Sequence, residues 1–238
     1  MCQYAGGKVV IGERISKAIL EYELEITGSN DLPYFEPFSG MCGVLLKICK
    51  HSPDKIKFAC DKEICVMNLW KDLQNGWTPP LTMNIETYKN IRHENKEDSL
   101  YCFAAYGCSF KGMRWAGYYD EAFDIATNRL KKNDFQSIVK DVCFMDPCSY
   151  TDHEPYGMIV YCDPPYINSN FIKDRENLCG FNIEEFWNTV RKWSVNNIVL
   201  VSERHAPEDF VSIWEYTRMN GITQNNKIVE KLFVLKTA

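Results

Sequence analysis

The chain carries eleven cysteines but no Cys-x-x-Cys pair among its 238 residues. The closest spacings are Cys60 to Cys65, Cys102 to Cys108 and Cys143 to Cys148, and only four histidines offer alternative ligands. Local spacing therefore excludes a zinc ribbon, and no metal is expected. The odd count in a long chain argues equally against a disulfide framework. Cys49, Cys65 and Cys162 lie inside apolar runs, where a free thiol behaves as a small hydrophobe. Reduced thiols in a cytosol-like compartment follow from this.

Other absences narrow the field further. No apolar run approaches the roughly 18 residues of a membrane span, and no basic-then-apolar start marks a secretory signal. A soluble, cytoplasmic protein without a membrane partner is expected. No Gly-x-Gly-x-x-Gly loop is present, which sets aside a dinucleotide oxidoreductase. Internal repeats and low-complexity tracts are missing as well. There is no basic excess: the net charge is −5, so nucleic-acid contact has to come from a local basic face.

What is present is an ordinary globular composition, 45% hydrophobic and 25% charged, enough to bury a sizeable core. Apolar positions from Val9 to Tyr22 follow one helical face, after the segment Tyr4-Ala5-Gly6-Gly7-Lys8. A glycine pair before a lysine at a helix start lets backbone approach an anion. A flexible terminus with a solvated lysine reads the same way. Next, Leu32 to Gly43 followed by Val44 to Cys49 reads as a short strand, a glycine-containing loop and an apolar helix. Lys57 to Asp61 reads as a second strand. Its terminal acid falls roughly twenty residues past the glycine loop, the spacing of a ribose-binding acid. Asp61 also suits the N-terminus of the helix-like stretch from Ile64 to Leu73.

The pattern changes between about Lys62 and Asn133. Gly76-Trp77-Thr78-Pro79-Pro80 breaks the helix, and Ile85 to Glu97 is polar. Ser99 to Phe123 then holds eight aromatics around the glycine-flanked loop Gly107 to Arg114. Residues 107–133 carry five basic side chains against three acidic ones, a local excess of two in an acidic chain. Basic side chains interleaved with aromatics suit phosphate and base contact. A helical subdomain whose aromatics are core gives the same composition. A helix through Leu130, a strand at Val142 to Met145, a helix at Ile183 to Val195, a strand at Asn197 to Ser202 and one or two final strands complete an alternating α/β order.

The most informative stretch is Gly157-Met158-Ile159-Val160-Tyr161-Cys162-Asp163-Pro164-Pro165-Tyr166. Its apolar run predicts a buried strand, and two prolines stop it, so Asp163 belongs at the strand's carboxyl end in a stiff turn. Ligands of open parallel sheets bind at that end. A strand followed by a plain proline turn, with Asp163 as a solvated acid, has the same signature.

In motif order the chain resembles the Dam-like adenine-specific DNA methyltransferases. Asp163-Pro164-Pro165-Tyr166 matches that family's catalytic Asp-Pro-Pro-Tyr. Tyr4, Gly7 and Lys8 lie in a segment similar to its N-terminal Gly-Gly-Lys. Glu36-Pro37-Phe38-Ser39-Gly40 resembles its Glu-Pro-Phe-x-Gly cofactor loop, Asp61 its ribose acid, and Ser202-Glu203 its post-catalytic signature. Phe110-Lys111-Gly112 with Arg114 is similar to its Phe-Asn-Gly-x-x-Arg recognition pattern. Three departures stand out. Met41 and Cys42 precede Gly43 where further glycines are frequent. Ser149-Tyr150 stands where Asp-Tyr or Asp-Phe meets the cofactor adenine. Lys111 replaces the asparagine, and Arg114 sits one residue closer to the glycine.

The resemblance implies a Rossmann-like α/β sheet formed by residues 1–61 and 134–238, with 62–133 inserted as a mostly helical target-recognition region. It implies S-adenosylmethionine as cofactor, held by Tyr4, Gly7, Lys8, Glu36 to Gly40, Asp61, Ser149, Tyr150 and Asp163. Phe110, Lys111, Gly112 and Arg114 would meet double-stranded DNA, and Asp163, Pro164, Pro165 and Tyr166 a flipped adenine. A monomer or homodimer, with a possible cognate restriction endonuclease, goes with that reading. The alternatives are methyl transfer to another amine (cytosine, RNA or a protein amide) and a non-catalytic DNA-binding relic of the fold.

Overall fold

Strand β4, Ile159–Cys162, is buried along its whole length, and its side chains alternate between two cores. Ile159 and Tyr161 enter one, Val160 and Cys162 the other. A strand covered on both faces reads as a continuous apolar run, which is why this one does. The computed structural model describes residues 7–132, 134–165, 181–219 and 227–236.

Around β4 the described strands form one seven-stranded sheet in the order β3-β2-β1-β4-β5-β7-β6. These are β1 Tyr34–Glu36, β2 Lys57–Ala59, β3 Val142–Phe144, β5 Ile198–Glu203, β6 Phe210–Met219 and β7 Lys227–Leu235. β1 to β5 pair in parallel, whereas β7 runs antiparallel to both β5 and β6. This is the Rossmann-like α/β class expected from the sequence. The chain order reverses between β1 and β4, and there the carboxyl ends of adjacent parallel strands diverge into a crevice.

One face of the sheet is covered by helices α1 Gly12–Thr27, α2 Leu45–His51 and α3 Ile64–Gln74. Ile15 and Ile19 of α1 are fully buried at one-turn spacing, and Trp70 of α3 stacks on Phe144 at 5.8 Å. The other face packs against α8, Ile183–Trp193. Asn182 caps α8 by accepting from the backbone N–H of Glu184 and Glu185, and Phe186, Trp187, Val190 and Trp193 form its buried stripe. Fully burying one such aromatic contributes on the order of 2–3 kcal/mol, so Phe186→Ala would loosen this face first.

Between α3 and β3 the described regular elements are helical. They are α4 Ile85–Ile91, α5 Ser99–Cys102, a π-turn at Phe103–Gly107, a 3-10 turn at Phe110–Gly112, α6 Asp120–Lys132 and α7 Phe135–Val139. The polar run after Ile85 conceals α4. Asn84 caps it through Thr87 N–H at 2.8 Å, and only Tyr88 and Ile91 are buried. Of the eight aromatics, Tyr101, Phe103, Tyr106 and Phe123 are core, while Phe110 and Tyr119 stay exposed. Among the described residues, no helix is long and apolar enough to cross a membrane.

Candidate active site

The carboxyl ends of β1 and β4 bring Glu36 and Asp163 to the crevice, and the segment before α1 crosses it. That crossing is very close. A Cβ on Gly12 would lie 2.2 Å from the Gly43 carbonyl oxygen, and one on Gly43 would lie 3.0 Å from the backbone of Lys8 and Val9. Two glycines thus let α1's start lie directly on the loop after β1, where any side chain would push it off. Threaded this way, Lys8 places its Nζ 2.6 Å from Asp163 Oδ1.

This ion pair sits in a nest of acids. Burial pushes the Asp163 carboxyl above its ordinary range, Lys8 opposes that, and Glu230 adds to it. Glu36 is buried, accepts from the Tyr34 hydroxyl at 3.1 Å, and is driven well above the carboxylate range. Burial is the main cause, with repulsion from Asp163 and Asp61 added. Glu203, at the end of β5, is raised to about 7, again by burial first and by Asp163 in addition. Its Oε2 accepts the Arg204 backbone N–H at 2.8 Å. Lys8 therefore offsets burial at both Asp163 and Glu203, and it is bonded to the acid on the strand end.

The loop after β1 is organised by Asp61. Its Oδ2 accepts from Gly40 N–H at 2.9 Å and its Oδ1 from Glu63 N–H at 3.0 Å, so one carboxylate pins the loop and opens α3. Each oxygen keeps a further lone pair. Gly40 has φ of 45°, Ser39 N–H donates to Cys60 O, and the Gly40 carbonyl accepts from the Trp70 indole. Glu36, Pro37, Ser39 and Gly40 are buried in this scaffold, whereas Phe38 and Asp61 remain half-exposed. Phe38 packs on Tyr150 at 5.1 Å, and the buried Tyr150 hydroxyl has no hydrogen-bond partner among the described residues. Ser149 caps the short turn Tyr150–Asp152.

The structure thus joins Lys8 to Asp163, Gly40 to Asp61 and Phe38 to Tyr150, with Glu36 close enough to feel both Asp163 and Asp61. Gly7 is exposed beside Lys8, Pro164 is buried and Pro165 half-buried. Tyr4 and Tyr166 lie outside the described residues. These groups fit S-adenosylmethionine: a partly exposed acid with spare lone pairs for ribose hydroxyls, aromatic faces for adenine, and a hydroxyl beside them with no partner among the described residues. Nothing in the local sequence around Tyr34 or Glu230 signals their place in the nest; only the sheet brings them there.

The basic loop Gly107 to Arg114 lies between α5 and α6. Phe110 and Lys111 are exposed, and Lys111 has a φ of 53° with its Nζ 5.1 Å from the Phe110 ring centre. Gly112 is buried with a φ of 67°. Arg114 turns inward. Its guanidinium lies 3.2 Å from Glu63 and 3.4 Å from the Tyr101 hydroxyl. Arg114 thereby ties the loop to the start of α3, two residues beyond Asp61.

No family model matches the chain, and no curated protein matches it in sequence. Among solved structures it overlays on two determinations, at 1.5 and 2.4 Å, of the rRNA methyltransferase AviRa from Streptomyces viridochromogenes. Identity is 12% and 13%, the overlay covers 94% of this chain and 84% of that one in both cases, and the TM-scores are 0.42 and 0.43. At such scores the overlay is a likeness only; strand order and the β1–β4 switch point carry the assignment of a Rossmann-like sheet.

Proposed function

We propose that this chain is an S-adenosylmethionine-dependent methyltransferase acting on adenine N6 in double-stranded DNA. The observation that supports it best is Asp163. A largely buried carboxylate stands at the carboxyl end of a central parallel strand, with Oδ1 on Lys8 and no described residue on Oδ2. An acid so placed, followed by a proline pair, suits a neutral amine that donates hydrogen bonds.

When bound, S-adenosylmethionine supplies an electrophilic sulfonium methyl group. The protein's part is to present a nucleophile. Adenine's exocyclic nitrogen is a poor one, because its lone pair is delocalised into the ring. Acceptors at Asp163 Oδ2 and the Pro164 carbonyl would take both amino hydrogens and draw the nitrogen towards tetrahedral geometry, freeing that lone pair. Lys8 opposes the burial that raises the Asp163 pKa and so favours the ionised carboxylate, the form that accepts and does not donate. One N–H proton leaves after the N–C bond forms and the S–C bond breaks, so Asp163 need not deprotonate a neutral amine. Duplex DNA hides this nitrogen, and the base has to flip out to reach the crevice.

The test combines calorimetric S-adenosylmethionine binding with methyl transfer to duplex DNA and to structured RNA. Asp163→Ala should retain cofactor binding to within a few fold and lose transfer, and methylated adenines should map to one short motif. Absence of cofactor binding by the wild type, or transfer confined to RNA, would refute the reading.

A further inference from the structure

We propose that Cys60, Cys148 and His153 form a binding site for one thiophilic divalent cation of the zinc class. The proposal is independent of the acceptor assigned above. Cys60 Sγ lies 3.1 Å from Cys148 Sγ, and Cys148 Sγ lies 3.2 Å from His153 Nε2. All three donor atoms fall within 4.8 Å of one another. The two cysteines are 88 positions apart in sequence, which is why no spacing motif shows them.

Local structure builds the site. Cys60 follows β2 and is fully buried. Cys148 and His153 flank the turn Tyr150–Asp152, which is closed by a capping box: Ser149 Oγ accepts from Thr151 N–H, and Ser149 N–H donates to Asp152 Oδ2. That box fixes a five-residue separation so that thiol and imidazole face the same way. The His153 ring is held by the edge of Phe35 at 4.8 Å, and the His153 carbonyl accepts from the Trp193 indole at 3.2 Å. Such outer contacts orient a ligating imidazole.

Two thiols at 3.1 Å are closer than sulfur's van der Waals size permits comfortably, so the pair is poised either to open or to close. A tetrahedral cation with sulfur at about 2.3 Å and nitrogen at about 2.0 Å would hold the sulfurs roughly 3.7 Å apart. A disulfide would require closing to about 2.05 Å. The third donor favours the cation, because His153 Nε2 stands where a third ligand belongs and has no part in a disulfide. Cys148 and His153 are half-exposed, which leaves the fourth position to water. A bound ion would clip the end of β2, beside Asp61, to the turn carrying Tyr150, and so fasten both walls of the proposed cofactor edge.

The test is titration of Co²⁺ into the full chain, reduced and stripped with chelator. One ion per chain is expected, with thiolate-to-cobalt absorption, tetrahedral visible bands and release of about two thiol protons. Zn²⁺ should displace Co²⁺ and raise the melting temperature by on the order of 5 °C at ~100 times its Kd. Cys148→Ser should abolish the thiolate band, His153→Gln should weaken binding at least ~10-fold, and Cys143→Ser, on the exposed face of β3, should change neither. His153→Gln keeps both thiols and guards against a folding defect in Cys148→Ser. An unchanged spectrum in both variants, no cobalt uptake by the wild type, or a Cys60–Cys148 disulfide in a chain that takes no metal when reduced would overturn the proposal.

Discussion

Lys8 and Asp163 are joined across 155 positions of sequence, with side chains only 4% and 16% exposed. Removing one member of so buried a pair leaves the other uncompensated, at about 3 kcal/mol. Lys8→Met should therefore lower unfolding free energy by about that amount in urea titrations. It should also raise the Asp163 pKa further, since Lys8 is what holds it down. In a double-mutant cycle, Asp163→Asn should restore part of the lost stability in Lys8→Met. Purely additive losses would mean that the contact carries no coupling.

Much of this arrangement was legible in the sequence, for a physical reason. β4 announces itself because a strand covered on both faces has to be apolar throughout, and prolines have to end it. The stripe of α8 and the strand–loop–helix after β1 are equally local signals. The destination of Lys8 was not legible, because it depends on Gly12 meeting Gly43, and neither glycine signals the other. Arg114 reads as an exposed basic residue until the fold supplies Glu63 and Tyr101. Cys60 and Cys148, 88 positions apart, give no spacing signal for the same reason. Pairings of high sequence separation leave no period to detect.

The Gly12–Gly43 crossing makes its own prediction. A methyl group on Gly12 would lie 2.2 Å from a carbonyl oxygen, and backbone cannot swing aside as a long side chain does. Gly12→Ala should destabilise by about 2–3 kcal/mol, as measured by the urea midpoint at unchanged slope. It should also reproduce the loss expected of Lys8→Met, because α1 can no longer deliver Lys8 to Asp163. Combining the two substitutions should then cost less than their sum.

Glu203 predicts a pH dependence of defined sign. Its pKa is raised to about 7 in the fold, so between its ordinary value near 4.5 and 7 the folded chain holds more proton than the unfolded one. Stability is then fullest below 4.5 and falls as pH rises through 7. Glu203→Gln should flatten that part of the curve, and above pH 7 it should gain about 1–2 kcal/mol, allowing for solvent at the edge of the site. Urea unfolding at pH 5 and pH 8 measures both. A gap between wild type and variant that does not change with pH would show that Glu203 is ionised throughout.

The basic loop separates two roles that a sequence pattern merges. Lys111 is exposed with its ammonium near the Phe110 face, and it is free to meet a phosphate. Arg114 is committed to Glu63 and Tyr101. If duplex DNA docks on this loop, Lys111→Ala should weaken binding and reduce the slope of log affinity against log salt by about one. Arg114→Ala should act differently. It releases the loop from α3, leaves Glu63 without that partner, and should lower stability by about 1–3 kcal/mol before any change in salt slope appears. Fluorescence anisotropy over a salt series, paired with urea unfolding of each variant, distinguishes the two. An unchanged slope in Lys111→Ala would move the DNA contact to another surface, and a reduced slope in Arg114→Ala at full stability would make Arg114 the phosphate contact instead.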